Sequence, residues 1–129
     1  MIFDVTINQG AEITTRYSTG TGNEETLKAL VYQHGAVLVS VGTVNWHQYR
    51  GAIFDSCPTS STPTHAVVVV GYGTENGVDY WLVKNSWGTG WGDQGYIKIK
   101  RGVEMCGIGR GQTTLSCEVG EINPGIDKV

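Results

Sequence analysis

The chain has 129 residues, a formal net charge of −3 and 40% hydrophobic residues. That length holds one domain, and the composition is that of an ordinary globular protein. The acidic balance excludes the basic footprint of a nucleic-acid binder, and no run approaches the ~18 apolar residues of a membrane span. The 19 glycines favour turns and strands over a helical bundle.

Phe3, Val5 and Ile7 alternate with polar residues and predict a first strand, with Thr14-Thr15-Arg16-Tyr17 as a second and weaker one. The start, Met1-Ile2-Phe3-Asp4-Val5, lacks the charged and apolar regions of a signal peptide. Gly20-Thr21-Gly22 reads as punctuation. Asn23 is a good N-cap, with Glu24 and Glu25 where the helix dipole favours them. Leu27, Leu30 and Val31 follow at helical spacing and Gly35 is the stop, so a helix is expected over residues 23–34.

From Ala36 the pattern is β. Ala36 to Val41 is an apolar run, Ile53-Phe54 a short strand, and His65 to Tyr72 a β-branched run of the kind buried on both faces. Asp79 to Lys84 and Tyr96 to Lys100 alternate. Gly71-Tyr72-Gly73, Glu75-Asn76-Gly77 and Gly92-Asp93-Gln94-Gly95 read as the turns between them, with Asn76-Gly77 a strong hairpin signal. One helix followed by antiparallel strands predicts an α+β, barrel-like fold. The polar segment 118–129, with Pro124-Gly125, reads as a tail.

Three cysteines, Cys57, Cys106 and Cys117, leave at least one without an internal partner. None shows metal-site spacing, although zinc held with His34, His47 or His65 is an alternative reading. His65 opens a strand behind Pro63-Thr64, a place from which an imidazole can project from a rigid scaffold into a cleft. Asn85 ends another strand. Its amide oxygen is expected to accept the Nδ1–H of His65 and leave Nε2 for a thiol. Trp87 is expected to cover that bond and keep water from it.

These residues also carry a family resemblance. Gln48-Tyr49-Arg50-Gly51, the His65 strand, Asn85-Ser86-Trp87-Gly88 with Trp91-Gly92, Gly95-Tyr96-Ile97 and Cys106-Gly107-Ile108 resemble the papain-like cysteine peptidases over residues 3–110. The resemblance implies the right-hand, β-barrel-like domain of a two-domain architecture, here residues 1–117. It implies His65 as general base, Asn85 as its orienting residue, and Trp87, with Ser86 and Trp91, as support. It implies a Cys57–Cys106 disulfide and gives Cys117 no role. It places Trp46 and His47 on the leaving side of a substrate. Val39, Pro63, Thr64 and Gly111 fall near the pocket for the second residue before the scissile bond, where an apolar side chain is expected. Thr64 stands where many members carry Asp or Asn.

The family's nucleophile run, Cys-Gly-Ser-Cys-Trp, is absent from these 129 residues. The nucleophile and the oxyanion-hole glutamine belong to the family's left-hand domain. The expected partners are therefore that domain or a light chain, a peptide substrate and a cystatin-type inhibitor, with no cofactor, metal, nucleic acid or membrane. A lysosomal, vesicular or extracellular setting is expected, as the disulfide implies. The alternative is a non-catalytic domain that binds a peptide, inhibitor or partner through its cleft face.

Overall fold

The computed structural model describes the backbone of residues 2–8 and 12–119 and the side chains of residues 22–114. The helix, α1, spans Glu24–His34. Asn23 caps it by a reciprocal pair: Thr26 N–H donates to Asn23 Oδ1 at 3.0 Å, and Asn23 N–H donates to Thr26 Oγ1 at 3.0 Å. Gly35, at φ 82, ends it and returns its N–H to the Val31 carbonyl at 2.8 Å.

The strands are β1 (Ile2–Asn8), β2 (Glu12–Thr21), β3 (Val37–Val41), β4 (Ile53–Phe54), β5 (His65–Glu75), β6 (Val78–Lys84), β7 (Tyr96–Lys100) and β8 (Gly111–Val119). They form one sheet in the order β1-β2-β8-β3-β5-β6-β7-β4. Every pairing is antiparallel except β4 with β7. The fold is the expected α+β arrangement, with an open sheet order rather than a closed ring.

Alternation decides which residues face the core. Val37, Val39 and Val41 of β3, Val67 and Val69 of β5, Trp81 and Val83 of β6, and Ile97 and Ile99 of β7 are buried together with Leu27 and Val31 of α1. Each such side chain contributes roughly 1.5–3 kcal/mol by leaving water. A carboxylate fastens the helix to the far end of the sheet. Glu24 Oε2 accepts from Trp81 Nε1 and from Gly102 N, both at 2.8 Å, and Oε1 accepts from Glu104 N.

Three expectations are corrected. Gly71-Tyr72-Gly73 is not a turn; β5 runs through it to Glu75, with a bulge at Val70 where the pairing steps from Val69↔Val83 to Gly71↔Leu82. The turn is the next one: Asn76 and Gly77 both have positive φ, 52 and 79, as a two-residue hairpin with right-handed strands requires. Of Gly20-Thr21-Gly22, the first two residues still belong to β2, which ends at Thr21, so the break falls at Gly22. The expected tail begins inside β8, where Glu118 and Val119 pair with Thr14 and Ile13; residues 120–129 lie outside the described residues.

Candidate active site

His65 is the first residue of β5, opposite Val41 of β3. Asn85 follows the last residue of β6, Lys84, which pairs with Val68. Continuing that register sets Asn85 beside Val67, on the same face as His65 and one diagonal step from it. The loop after β6 holds Asn85 in place. Its N–H donates to the Gly95 carbonyl at 3.0 Å, and Gly95 N–H donates to the Trp91 carbonyl at 2.8 Å. Gly92, at φ 60, is required here, since a Cβ would meet the Tyr96 carbonyl at 2.6 Å.

His65 Nε2 lies 2.7 Å from Asn85 Oδ1. Asn85 Oδ1 also accepts the Ser86 N–H at 2.8 Å, which fixes that atom as the oxygen. An amide oxygen only accepts, so Nε2 carries the proton and Nδ1 of the neutral ring keeps a lone pair. The expectation had the two nitrogens reversed. The diagonal offset is the reason: Nε2, on the far side of the ring, spans it, whereas Nδ1 lies beside Cβ.

Aromatic rings wall this pair. Trp87 lies 5.3 Å from the His65 ring, centroid to centroid, and half-buried. His47 stacks on Trp87 at 4.8 Å and 8°. Trp91 meets Trp87 edge-on at 5.2 Å, and its Nε1–H donates to the Trp46 carbonyl at 2.9 Å. Asn85 itself is 5% exposed, and its Nδ2 is buried without a hydrogen-bond partner among the described residues.

Two expected substrate contacts lie elsewhere. Val39 is 1% exposed, in the core. Its strand reads Val-Leu-Val-Ser-Val, so apolar content alone did not reveal the inward face. The outward positions are Leu38 and Ser40, and the register sets Ser40 opposite Ala66 and one residue along from the Val39–Gln112 pair. Ser40, Ala66 and Gly111 thus share the open face; polar Ser40 within the apolar run was the signal. Trp46 is 0% exposed, beneath the site rather than on it. His47, Pro63 and Thr64 are exposed. Gly111 is half-buried.

Cys57 and Cys106 are joined in a disulfide, with Cα atoms 5.1 Å apart. Cys117 pairs through its backbone with Thr15, and its side chain lies outside the described residues. Among the described residues no group of three or more His, Cys, Asp or Glu could hold a metal. Burial raises the Tyr49 phenol above its ordinary range, although its oxygen accepts the Lys98 N–H at 3.2 Å. Surface grooves lie along α1, between Lys28, Tyr32 and Tyr72, and beside β4; neither includes His65 or Asn85.

A profile described as "Papain family cysteine protease" matches residues 4–115. The chain belongs to that family. It is 43% identical over 86 residues to the "Viral cathepsin" of Spodoptera exigua nuclear polyhedrosis virus, covering 67% of this chain and 25% of that protein. It is 43% identical over 105 residues to the "Oryzain gamma chain" of Oryza sativa subsp. japonica, covering 78% and 29%. Among solved structures it superposes on digestive procathepsin L2 proteinase from Tenebrio molitor larval midgut with a TM-score of 0.70 at 41% identity, covering 78% of this chain and 33% of that one. Bromelain protease from Ananas comosus, in complex with the E64 inhibitor, gives 0.69 at 35%, covering 78% and 49%. The chain thus spans between a quarter and three-tenths of the two curated relatives' length. No helix among the described residues is long and apolar enough to cross a membrane.

Proposed function

We propose that this papain-family chain supplies the imidazole half of a cysteine peptidase site, with His65 as base and Asn85 as its orienting residue. The nucleophilic cysteine comes from a segment or chain outside these 129 residues. The observation that carries this reading is the 2.7 Å contact between His65 Nε2 and Asn85 Oδ1, which leaves Nδ1 as the lone-pair face of the ring. A thiol placed at Nδ1 gives up its proton there, and the thiolate attacks a peptide carbonyl. The Nδ1–H then protonates the leaving amine, and water hydrolyses the acyl-enzyme. Ser86 and Trp91 hold the amide and the ring wall in place; Trp87 screens the Nε2–H.

The face beside the site favours a covering partner. Leu38 is 42% exposed there, opposite half-buried Val68 and diagonal to exposed Ala66. On the substrate side, Ser40, Ala66 and Gly111 bring no charge, which favours an apolar side chain before the scissile bond. Pro63 and Thr64 border that row, and exposed His47 lies toward the leaving side. A cystatin-type inhibitor would meet the same cleft. The disulfide favours an oxidising or lysosome-like compartment or the extracellular space.

The test is intact-mass spectrometry of native material treated with a thiol-reactive epoxide peptide, without reductant. The expected result is a label on a cysteine outside the 129 residues, lost when His65→Ala replaces the wild type. No label, or a label indifferent to His65→Ala, overturns the proposal and leaves a domain that only binds through its cleft face.

A further inference from the structure

Trp46 and Trp81 are the largest side chains to vanish from solvent among the described residues; Trp81 donates to Glu24, whereas the site chemistry so far gives the Trp46 indole N–H no task. That N–H donates to Cys106 Sγ at 3.3 Å, in the buried interior. The sulfur is one half of the disulfide to Cys57. The same ring stands edge-on to His65 at 6.1 Å and 88°, and edge-on to Trp87 at 6.1 Å. It stacks on Trp91 at 5.8 Å and 19°. One indole therefore touches the disulfide at its polar end, the imidazole along its side and both tryptophans of the wall.

We infer that Trp46 is a positioning residue that carries the state of the Cys57–Cys106 disulfide to the His65–Asn85 pair. This rests on the reading of that pair as the working half of a site. The disulfide fixes Cys106 Sγ as an acceptor under the indole. A dithiol reductant delivers two electrons and two protons: the S–S bond breaks, each sulfur becomes a thiol, and the dithiol closes to its own disulfide. Cys106 Sγ is then free to rotate and carries its own hydrogen. A buried N–H that loses its acceptor is costly, so the indole must turn to find another. Any turn changes the T-shaped contact with His65 and moves the face that supports Trp91, and so loosens the cover over the Nε2–H.

A second route is also built in. Gly42 N–H donates to the Cys106 carbonyl at 3.0 Å, and Gly42 follows Val41, the strand partner of His65. The Trp46→Phe variant separates the two routes, because it keeps a buried aromatic ring and the backbone link but deletes the N–H.

The experiment is long-range proton–nitrogen NMR of the histidine rings, with this chain labelled at histidine. Three histidines make assignment direct. The oxidised wild type is expected to show His65 as the Nε2–H tautomer with slow proton exchange. Dithiol, with two new thiols counted, shifts the His65 signals and speeds that exchange about fivefold, the factor expected for losing one neutral hydrogen bond. Oxidised Trp46→Phe already exchanges at the faster rate, and dithiol changes it less than it changes the wild type, by what the backbone link alone transmits. A reduced wild type that stays folded with unmoved His65 signals overturns the inference, as does a Trp46→Phe that responds to dithiol like the wild type. If reduction unfolds the chain, the two oxidised proteins decide: equal exchange overturns it. Because no step needs a nucleophile, failure here is distinct from failure of the epoxide test.

Discussion

Asn85 and Gln112 are both buried amides at 5% exposure, yet replacing each by alanine is expected to have unequal consequences for stability. Gln112 is satisfied by the fold: the two Nε2 hydrogens go to the Asn23 carbonyl at 2.9 Å and the Gly109 carbonyl at 3.0 Å, and Thr26 Oγ1 lies 3.2 Å from the same nitrogen. Gln112→Ala strips those donors from the helix cap and from the turn before β8, at about 2–4 kcal/mol. Asn85→Ala removes an acceptor from the half-buried His65 Nε2–H and from Ser86 N–H, about 1 kcal/mol each. It also removes Nδ2, which has no hydrogen-bond partner among the described residues and whose burial in that state costs about 2 kcal/mol. The two terms nearly cancel, so Asn85→Ala should lie within about 1 kcal/mol of the wild type. Guanidinium unfolding of the oxidised proteins, comparing midpoints at constant slope, reads the difference. An Asn85→Ala variant as unstable as Gln112→Ala would refute the reasoning and make Asn85 part of the scaffold. The expected result instead assigns its burial to the site, the kind of local cost that active-site residues carry.

The remaining expectations address the supports of the site. Reduction of Cys57–Cys106, which closes a separation of 49 residues, should cost about 4 kcal/mol by the loop-entropy relation; a melting temperature unchanged in strong reductant argues against it. Trp81→Phe removes the buried donor to Glu24 and should destabilise by about 1.5–3 kcal/mol, read by urea midpoint; Trp81→Phe equal to wild type would mean Glu24 fastens α1 through the backbone donors alone. Tyr49 has a raised pKa when folded, so its stabilisation is full below the unfolded value of about 10 and is lost as pH rises through the folded one. Tyr49→Phe should therefore show a flatter fall in stability above about pH 10, and an alkaline limb identical to the wild type would contradict this. Trp87→Ala should leave the fold intact by circular dichroism while speeding exchange of the His65 Nε2–H; unchanged exchange would remove its screening role.

What the sequence disclosed follows the range of each interaction. The helix was legible because its signals are local: Asn23, Glu24, Leu27, Val31 and Gly35 act within a few residues of one another. The strands with apolar alternation were legible for the same reason. β8 was not, because Gly-Gln-Thr-Thr carries no apolar period; it is held by its long pairing with β2 and by one buried glutamine reaching back to the helix cap. The site divides the same way. The residues His65, Asn85 and Trp87 stand in recognisable runs, but which ring nitrogen meets the amide depends on a diagonal between β5 and β6 that no run contains. Trp46 shows the limit most sharply. From its neighbours it reads as a surface aromatic beside exposed His47. Its burial arises from chain far away in sequence: Cys106 Sγ at its N–H, His65 perpendicular to it, Trp91 on its face. A position that reads as a substrate contact thereby becomes the piece that ties the disulfide to the imidazole, and only packing across the sheet could have disclosed it.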